Sequence, residues 1–268
     1  MGPMDILTQL QIISAVVTAV FFVAGSILDL RSREVDDRVW LAYAPIGLGL
    51  TIITVLLDPS RIILTIASAT IACVLAIGLF YFGLFGGADA KAIMCLGVSM
   101  PLVPSGFPGL LGYVHPFFPI PVLVTGFICS ALVALWFGLK NLFTYSRLGS
   151  SMFRGLEHES NWRKVLAMVS GYRAELSKLR SVFYLYPMEE IVETPTGARR
   201  SFKLFVDAEA DRDKLVSEFS STYSKFNLQG QVWVTPGLPM LVFITVGLAL
   251  TLVFGDILFA GIFNLLPR

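Results

Sequence analysis

Charge is what this chain has least of. Only 15% of its 268 residues are Asp, Glu, Lys or Arg, against roughly 25% in an ordinary soluble domain. With 55% hydrophobic residues and a mean hydropathy of +0.75, a water-soluble globule is excluded and a polytopic membrane protein is expected. Cysteine is also scarce. Cys73, Cys95 and Cys129 all lie in apolar segments, and none has Cys-x-x-Cys spacing. They read as small buried hydrophobes rather than metal ligands. His115 and His158 lack ligand-like neighbours, so no metal and no cofactor is expected. No basic segment precedes the first apolar stretch, which argues against a cleavable signal peptide. The opening Met1-Gly2-Pro3-Met4 reads as an expression scar ahead of an initiator at Met4. The formal net charge of +1 says little by itself, and no nucleic-acid partner is expected.

The few charges are distributed unevenly. Of 20 basic and 19 acidic side chains, 13 and 11 lie between Tyr145 and Thr235. That contrast marks a water-exposed domain set into a membrane body. The expected organisation is a membrane body over residues 4–144, a polar α+β domain over 145–235, and a last membrane helix over 236–268. Six segments approach the roughly 20 residues needed to span: 6–28, 39–57, 62–82, 91–102, 120–139 and 237–265. The fourth is the shortest, because its apolar run stops at Pro101 and enters a proline-rich stretch. The fold class is therefore an α-helical polytopic membrane protein of six transmembrane helices, with a small α+β cytoplasmic domain between helices 5 and 6. Basic residues orient it. With the amino terminus outside, the inside holds Arg31, Arg33, Arg38, Lys91, Lys140 and the 13 of the polar domain. Only Arg61 and Arg268 remain outside, a strong positive-inside signal. Both termini are expected to be extracytoplasmic, and the inserted domain cytoplasmic.

Against this background two acids stand out. Asp29 ends the first apolar segment, and Asp89 opens the fourth after Gly86, Gly87 and Ala88. Carboxylates at membrane depth are costly and mark functional candidates whose partner should be named. Two complete crossings separate them, with Asp58-Pro59-Ser60-Arg61 as the turn, so both return to the same face of the membrane. Amide hydrolysis needs one group to take a proton from water and another to give one to the carbonyl oxygen; two carboxyls that share a proton do both. Gly86 and Gly87 let a substrate backbone approach closely. The start of the fourth helix offers free amides and a positive dipole end to Asp89. A glycine pair before a helix is also a common loop connection, so Gly-Gly-Ala-Asp by itself is weak. Two border acids on one face are stronger.

At these residues the chain resembles a known group. Asp29-Leu30-Arg31-Ser32-Arg33-Glu34-Val35-Asp36-Asp37 and Gly86-Gly87-Ala88-Asp89-Ala90-Lys91 look like the two aspartate motifs of the type IV prepilin peptidase superfamily, which includes GxGD membrane aspartyl proteases. The pattern here is G-G-A-D rather than strict G-x-G-D. The layout resembles the archaeal preflagellin peptidases in particular, and the likeness covers the membrane body. Val234-Thr235-Pro236-Gly237-Leu238-Pro239 also looks like that family, and by analogy like the Pro-Ala-Leu element of presenilin. The resemblance implies an aspartyl endopeptidase with Asp29 and Asp89 catalytic, Gly86, Gly87, Lys91, Pro236 and Gly237 shaping the site or binding substrate, and preflagellin-like preproteins as substrates. Bacterial relatives carry paired Cys-x-x-Cys motifs and also N-methylate the new terminus; without those motifs no methyltransferase activity is expected here. Lys91 is adjacent to Asp89, although a cytoplasmic anchor is its blander reading. Glu34, Asp36 and Asp37 could receive a basic leader, although a mixed loop is more often simply solvated.

Within the polar domain, 161–180 reads as a helix, 190–206 as a hairpin turning at Pro195-Thr196-Gly197, 207–226 as a second helix, and 231–234 as a strand. Asp256 lies far along the last segment and reads as structural. It keeps a competing class open, an ion- or proton-coupled transporter with intramembrane carboxylates, although neither repeats nor paired interrupted helices are evident in the sequence. A membrane-anchored scaffold is a third class and would need neither aspartate.

Overall fold

The computed structural model describes residues 5–113, 115–194, 197–204 and 211–265. The Met1–Met4 start, turn residues Pro195 and Thr196, residues 207–210 of the second polar helix, and Arg268 lie outside the described residues. In chain order the first helices are α1 (Ile6–Ser32), α2 (Asp37–Leu57), α3 (Ile62–Tyr81), α4 (Gly87–Ser99) and α5 (Pro119–Leu148). Then come α6 (Asn161–Ser170), β1 (Tyr172–Ala174), α7 (Leu176–Ser181), β2 (Leu185–Pro187), β3 (Glu189–Thr194) and β4 (Gly197–Phe202). The chain closes with α8 (Arg212–Lys225), β5 (Val232–Pro236), α9 (Met240–Phe254) and α10 (Ile257–Leu265). It divides into two compact units, Met1–Ser130 with Pro239–Arg268, and Ala131–Leu238.

Four helical stretches, Ile6–Ser32, Asp37–Leu57, Pro59–Tyr81 and Pro119–Phe153, are long and apolar enough to cross a membrane. Met240–Phe254 and Ile257–Phe263, bent by 54°, form a fifth candidate as a broken pair. The fourth apolar segment of the sequence folds differently. α4 has 13 residues, about 20 Å at 1.5 Å per residue, short of a hydrocarbon core of about 30 Å. It packs against α1, α2, α3 and α9, and most of its residues are buried. After it, Leu102 pairs with Phe117, and the Phe118 amide lies on the Pro101 carbonyl at 3.1 Å.

The helix faces explain this packing. α1 buries Gln11, Ser14, Ala15, Thr18, Phe22, Gly25 and Ser26, α2 buries Trp40, Tyr43, Gly47 and Thr51, and α3 buries Ser68, Ala72 and Ala76. Each set recurs every three or four residues, as one helical face must. The buried faces of α1 and α3 are rich in small or polar residues, and large apolar side chains such as Leu41, Leu56, Ile63 and Val74 point outward. That arrangement suits a lipid solvent, where helices associate through close approach rather than by hiding apolar surface.

The last segment, read from sequence as one span, breaks at Gly255. Gly255 has φ of 86°, a left-handed conformation that glycine adopts without strain, and Asp256 then caps α10 through the Phe259 amide at 3.0 Å. The carbonyls of Val253 and Phe254, left open at the break, accept from the amides of Leu110 and Leu111, both at 3.0 Å. Backbone groups freed at membrane depth must find such partners.

The second unit holds an antiparallel sheet in the order β1-β5-β2 and a separate β3–β4 hairpin. The helix read over 161–180 is interrupted. Gly171 lies so close to the Val234 carbonyl and the Met188 sulfur that a side chain there would collide with both, and the chain passes into β1 instead. α8, β2 and β5 share a core built on Leu179, Leu185, Phe219, Val232 and Val234.

Candidate functional site

Helical periodicity brings Asp29 inward. The buried stripe of α1 passes through Phe22, Gly25 and Ser26, and position 29 is its next inward step. α1 ends just beyond. Arg33 takes a left-handed conformation with φ of 58° and returns its amide to the Asp29 carbonyl at 3.0 Å. Asp89 is the third residue of α4, and its carboxylate accepts from the amide of the N-cap residue Gly86 at 3.3 Å. An acid there lies over free amides at the positive end of the helix dipole.

The two acids meet. Asp29 lies close enough to Asp89 for their charges to interact directly, and the Arg33 guanidinium is within electrostatic reach of both. Asp29 Oδ2 is buried and has no hydrogen-bond partner among the described residues. A second helix start also faces the pair. The backbone amide of Leu241, in the first turn of α9, lies near the Asp89 carboxylate. Leu241 is fully buried, with its methyl group against Gly25. Its carbonyl accepts from Ser26 at 3.3 Å and Thr245 at 2.8 Å, and those two hydroxyls bond each other at 2.7 Å. α9 is thereby pinned to α1 beside Asp29.

The remaining sequence candidates divide. Gly86 and Gly87 form the N-cap and first residue of α4. Lys91 faces away from the acids in its bonding, with its ammonium on Asp37 at 2.5 Å in a largely exposed pair, the kind that contributes about 0–1 kcal/mol. Asp36 caps α2 through the Arg38 amide at 2.8 Å. Two of the three loop acids suggested for a basic leader thus have local partners. Pro236 pairs with Leu185 across β5 and β2, and the Gly237 amide bonds the Tyr184 carbonyl at 2.8 Å. It is Leu241, four residues past Gly237, that reaches Asp89. Among the described residues no three His, Cys, Asp or Glu side chains gather at metal-binding range.

Sequence reasoning missed Leu241 and Arg33. Leu241 acts through its main chain, so its side chain carries no signal. The cue was Pro239 just before an apolar run, marking a helix start. Arg33 was absorbed into the count of inside-positive charges.

Comparison with known proteins accords with this geometry. A family model described as Type IV leader peptidase family matches residues 16–139, spanning both aspartates. Over those residues the chain is similar to the type IV leader peptidases. A second model, Archaeal Peptidase A24 C-terminus Type II, matches residues 163–257 and extends the likeness into the polar domain, which the motifs did not reach. A preflagellin peptidase of Methanocaldococcus jannaschii is 29% identical over 91% of this chain and 94% of its own length. Those of Methanococcus maripaludis and Methanococcus voltae are 25% and 28% identical, over 91% and 87% of this chain and 96% and 91% of their own lengths. The chain has the character of a membrane protein, with a mostly helical body and a small sheet-containing domain.

Proposed function

We propose that the chain is a membrane aspartyl endopeptidase that removes the short N-terminal leader of preflagellin-like preproteins at the cytoplasmic border of the bilayer, with Asp29 and Asp89 as its catalytic pair. One observation carries this reading: two carboxyl groups from different helices lie within electrostatic reach of each other at a site that also holds one buried carboxylate oxygen without a hydrogen-bond partner among the described residues and the start of α4. The names of the relatives supply the substrate class.

The chemistry follows from the pair. One carboxylate takes a proton from a water as its oxygen attacks the scissile carbonyl carbon, and the other carboxyl gives its proton to the carbonyl oxygen. As the C–N bond breaks, the resulting gem-diol returns one hydroxyl proton to the second acid, and the proton held by the first acid passes to the leaving amine. Positioned acid–base catalysis of this kind is worth about 10²–10⁴-fold. Gly86 and Gly87 present no side chain where the substrate backbone enters, and Arg33 offsets the negative charge of the pair. In this reading α4 and the residues between it and α5 together make the fourth crossing, so both termini lie outside and the polar domain in the cytoplasm, the pair cleaves without methylating the new terminus, and Pro236-Gly237 leads the chain into α9.

The test is loss of leader from a preflagellin incubated with purified protein in detergent. Asp29→Asn and Asp89→Asn should each lower cleavage by at least about a thousandfold while leaving the unfolding midpoint near that of the unaltered chain. Retained cleavage in either variant overturns the mechanism.

The transporter reading rests on Asp256, buried at the break between α9 and α10. Its carboxylate is engaged by the Phe259 amide and its own amide by the Tyr113 carbonyl at 2.8 Å, which accounts for it as a helix cap. Loss of ion flux in sealed vesicles on Asp256→Asn, with cleavage intact, would revive that class.

A further inference from the structure

α4 ends among α1, α2 and α3, and the carbonyls of its last turn have no partner within the helix. Side chains from three other helices supply the donors. The Thr51 hydroxyl of α2 lies 2.8 Å from the Val98 carbonyl and 3.1 Å from that of Ser99. The Ser14 hydroxyl of α1 reaches the Ser99 carbonyl at 2.8 Å, and the Ser68 hydroxyl of α3 reaches the Pro101 carbonyl at 2.6 Å. The Tyr43 hydroxyl bridges Thr18, at 2.8 Å, to the side chain of Ser99. Ser14, Thr51, Ser68 and Ser99 are buried, and Tyr43 fully so.

We infer that this hydroxyl collar is a positioning device for catalysis: by gripping the far end of α4 it fixes the helix along its axis and so sets Asp89 against Asp29. The inference rests on the aspartate reading above. Ser99 is ten residues from Asp89, about 15 Å along the helix, so none of these hydroxyls is a catalytic residue. α4 is short and has its two ends held in different ways. At the start Asp89 itself takes part, through one long bond from the Gly86 amide. At the other end four hydroxyls converge on two residues and the proline that follows. The close approach of α2 at Gly47, where a methyl group would overlap the Ser99 side chain, keeps α4 from sliding sideways without those bonds. Displacements of about 1 Å in reacting groups can cost about 10²-fold in rate, so axial play at the collar is felt at the pair.

The experiment compares Thr51→Val, Thr51→Ser and Ser14→Ala in the full chain, with a preflagellin as substrate. Thr51→Val and Ser14→Ala should each lower kcat about tenfold or more with KM within about twofold, and Thr51→Ser should stay near the unaltered rate. A second readout is independent of catalysis. With Cys73, Cys95 and Cys129 replaced by alanine, Asp29→Cys and Asp89→Cys are joined by a short bifunctional thiol reagent, and Thr51→Val should slow that joining severalfold. Unchanged kcat and joining rate in Thr51→Val overturn the inference, as does a Thr51→Ser variant as impaired as Thr51→Val. Failure of the aspartate reading is seen separately, as cleavage surviving Asp29→Asn or Asp89→Asn. Should Thr51→Val not fold, Ser14→Ala alone decides between these outcomes.

Discussion

The backbone amide of Leu241 lies near the carboxylate of Asp89, so residues 152 positions apart in sequence come together at the candidate site. The helix starts of α4 and α9 therefore aim at a single acid. Each contributes free amides and a positive dipole end where negative charge is otherwise costly. This geometry separates a main-chain contribution from a side-chain one, which substitution can test.

Leu241→Pro removes the amide, whereas Leu241→Ala keeps it and removes only packing. Proline is tolerated in a first helical turn, so both variants should fold with a similar loss of stability, about 2–5 kcal/mol for the lost side chain. Leader cleavage should fall about 10–100-fold further in Leu241→Pro than in Leu241→Ala, matching a charge-assisted hydrogen bond. Equal rates in the two folded variants would remove the amide from the account.

Close helix approach gives a second prediction. A methyl group at Gly97 would lie 2.5 Å from the Ala72 methyl carbon, whereas one at Gly78 meets nothing within 4 Å. Gly97→Ala should destabilise the protein by about 1–3 kcal/mol through overpacking of α3 on α4. Gly78→Ala should be neutral or slightly stabilising, since alanine favours helix. Thermal unfolding in detergent distinguishes the two.

The polar domain hides an ion pair. The Arg200 guanidinium lies on Glu189 at 2.6 and 2.7 Å, and Glu189 also accepts from the Trp233 amide at 2.6 Å. Both residues are buried. Arg200→Met strands a buried carboxylate and should cost about 3–5 kcal/mol. Adding Glu189→Gln should recover part of that loss, because it keeps an acceptor for Trp233 without the charge. Denaturant unfolding of the single and double variants checks the sign of the second step.

Glu159 predicts a pH dependence. Burial opposes its charge, but the Ser201 hydroxyl at 2.6 Å, the Phe202 amide at 3.0 Å and Arg163 at 3.0 Å win, holding its carboxyl below the usual carboxylate range. A carboxyl lowered in the folded state adds stability that is fully present above its unfolded value, about 4.3. That stability is lost as pH falls through the folded value. Glu159→Gln should thus lower the unfolding midpoint at neutral pH, and the gap between variant and unaltered protein should close on acidification below about pH 4. A gap independent of pH would mean that the hydrogen bonds, not the charge, are what matters.

Much of the site was legible because it obeys counting rules. Asp29 and Asp89 were found as charges beside apolar runs, and two long apolar helices separate them, as expected for acids returning to one side. Gly86 and Gly87 stand at a helix start, where the Gly-Gly-Ala-Asp run suggested one. Lys91 was readable only as a choice between two roles, and Asp37, nearby in space but not in sequence, decided its partner. The expectation of one unbroken final helix failed because hydropathy does not register the φ of Gly255 or the amides of Leu110 and Leu111 that fill the break.

Composition and periodicity by themselves determined that this chain lives in a membrane, that a charged domain interrupts it, and that two acids sit at helix ends. Those are properties of local sequence, because the cost of placing charge or apolar surface in a given solvent is set residue by residue. Tertiary structure alone decided that α4 is a short enclosed helix, that hydroxyls from three neighbours close its far end, and that α9 offers an amide to Asp89. Each of these depends on which unsatisfied main-chain group lies beside which donor once the helices are packed, and main-chain groups are the same in every residue but proline.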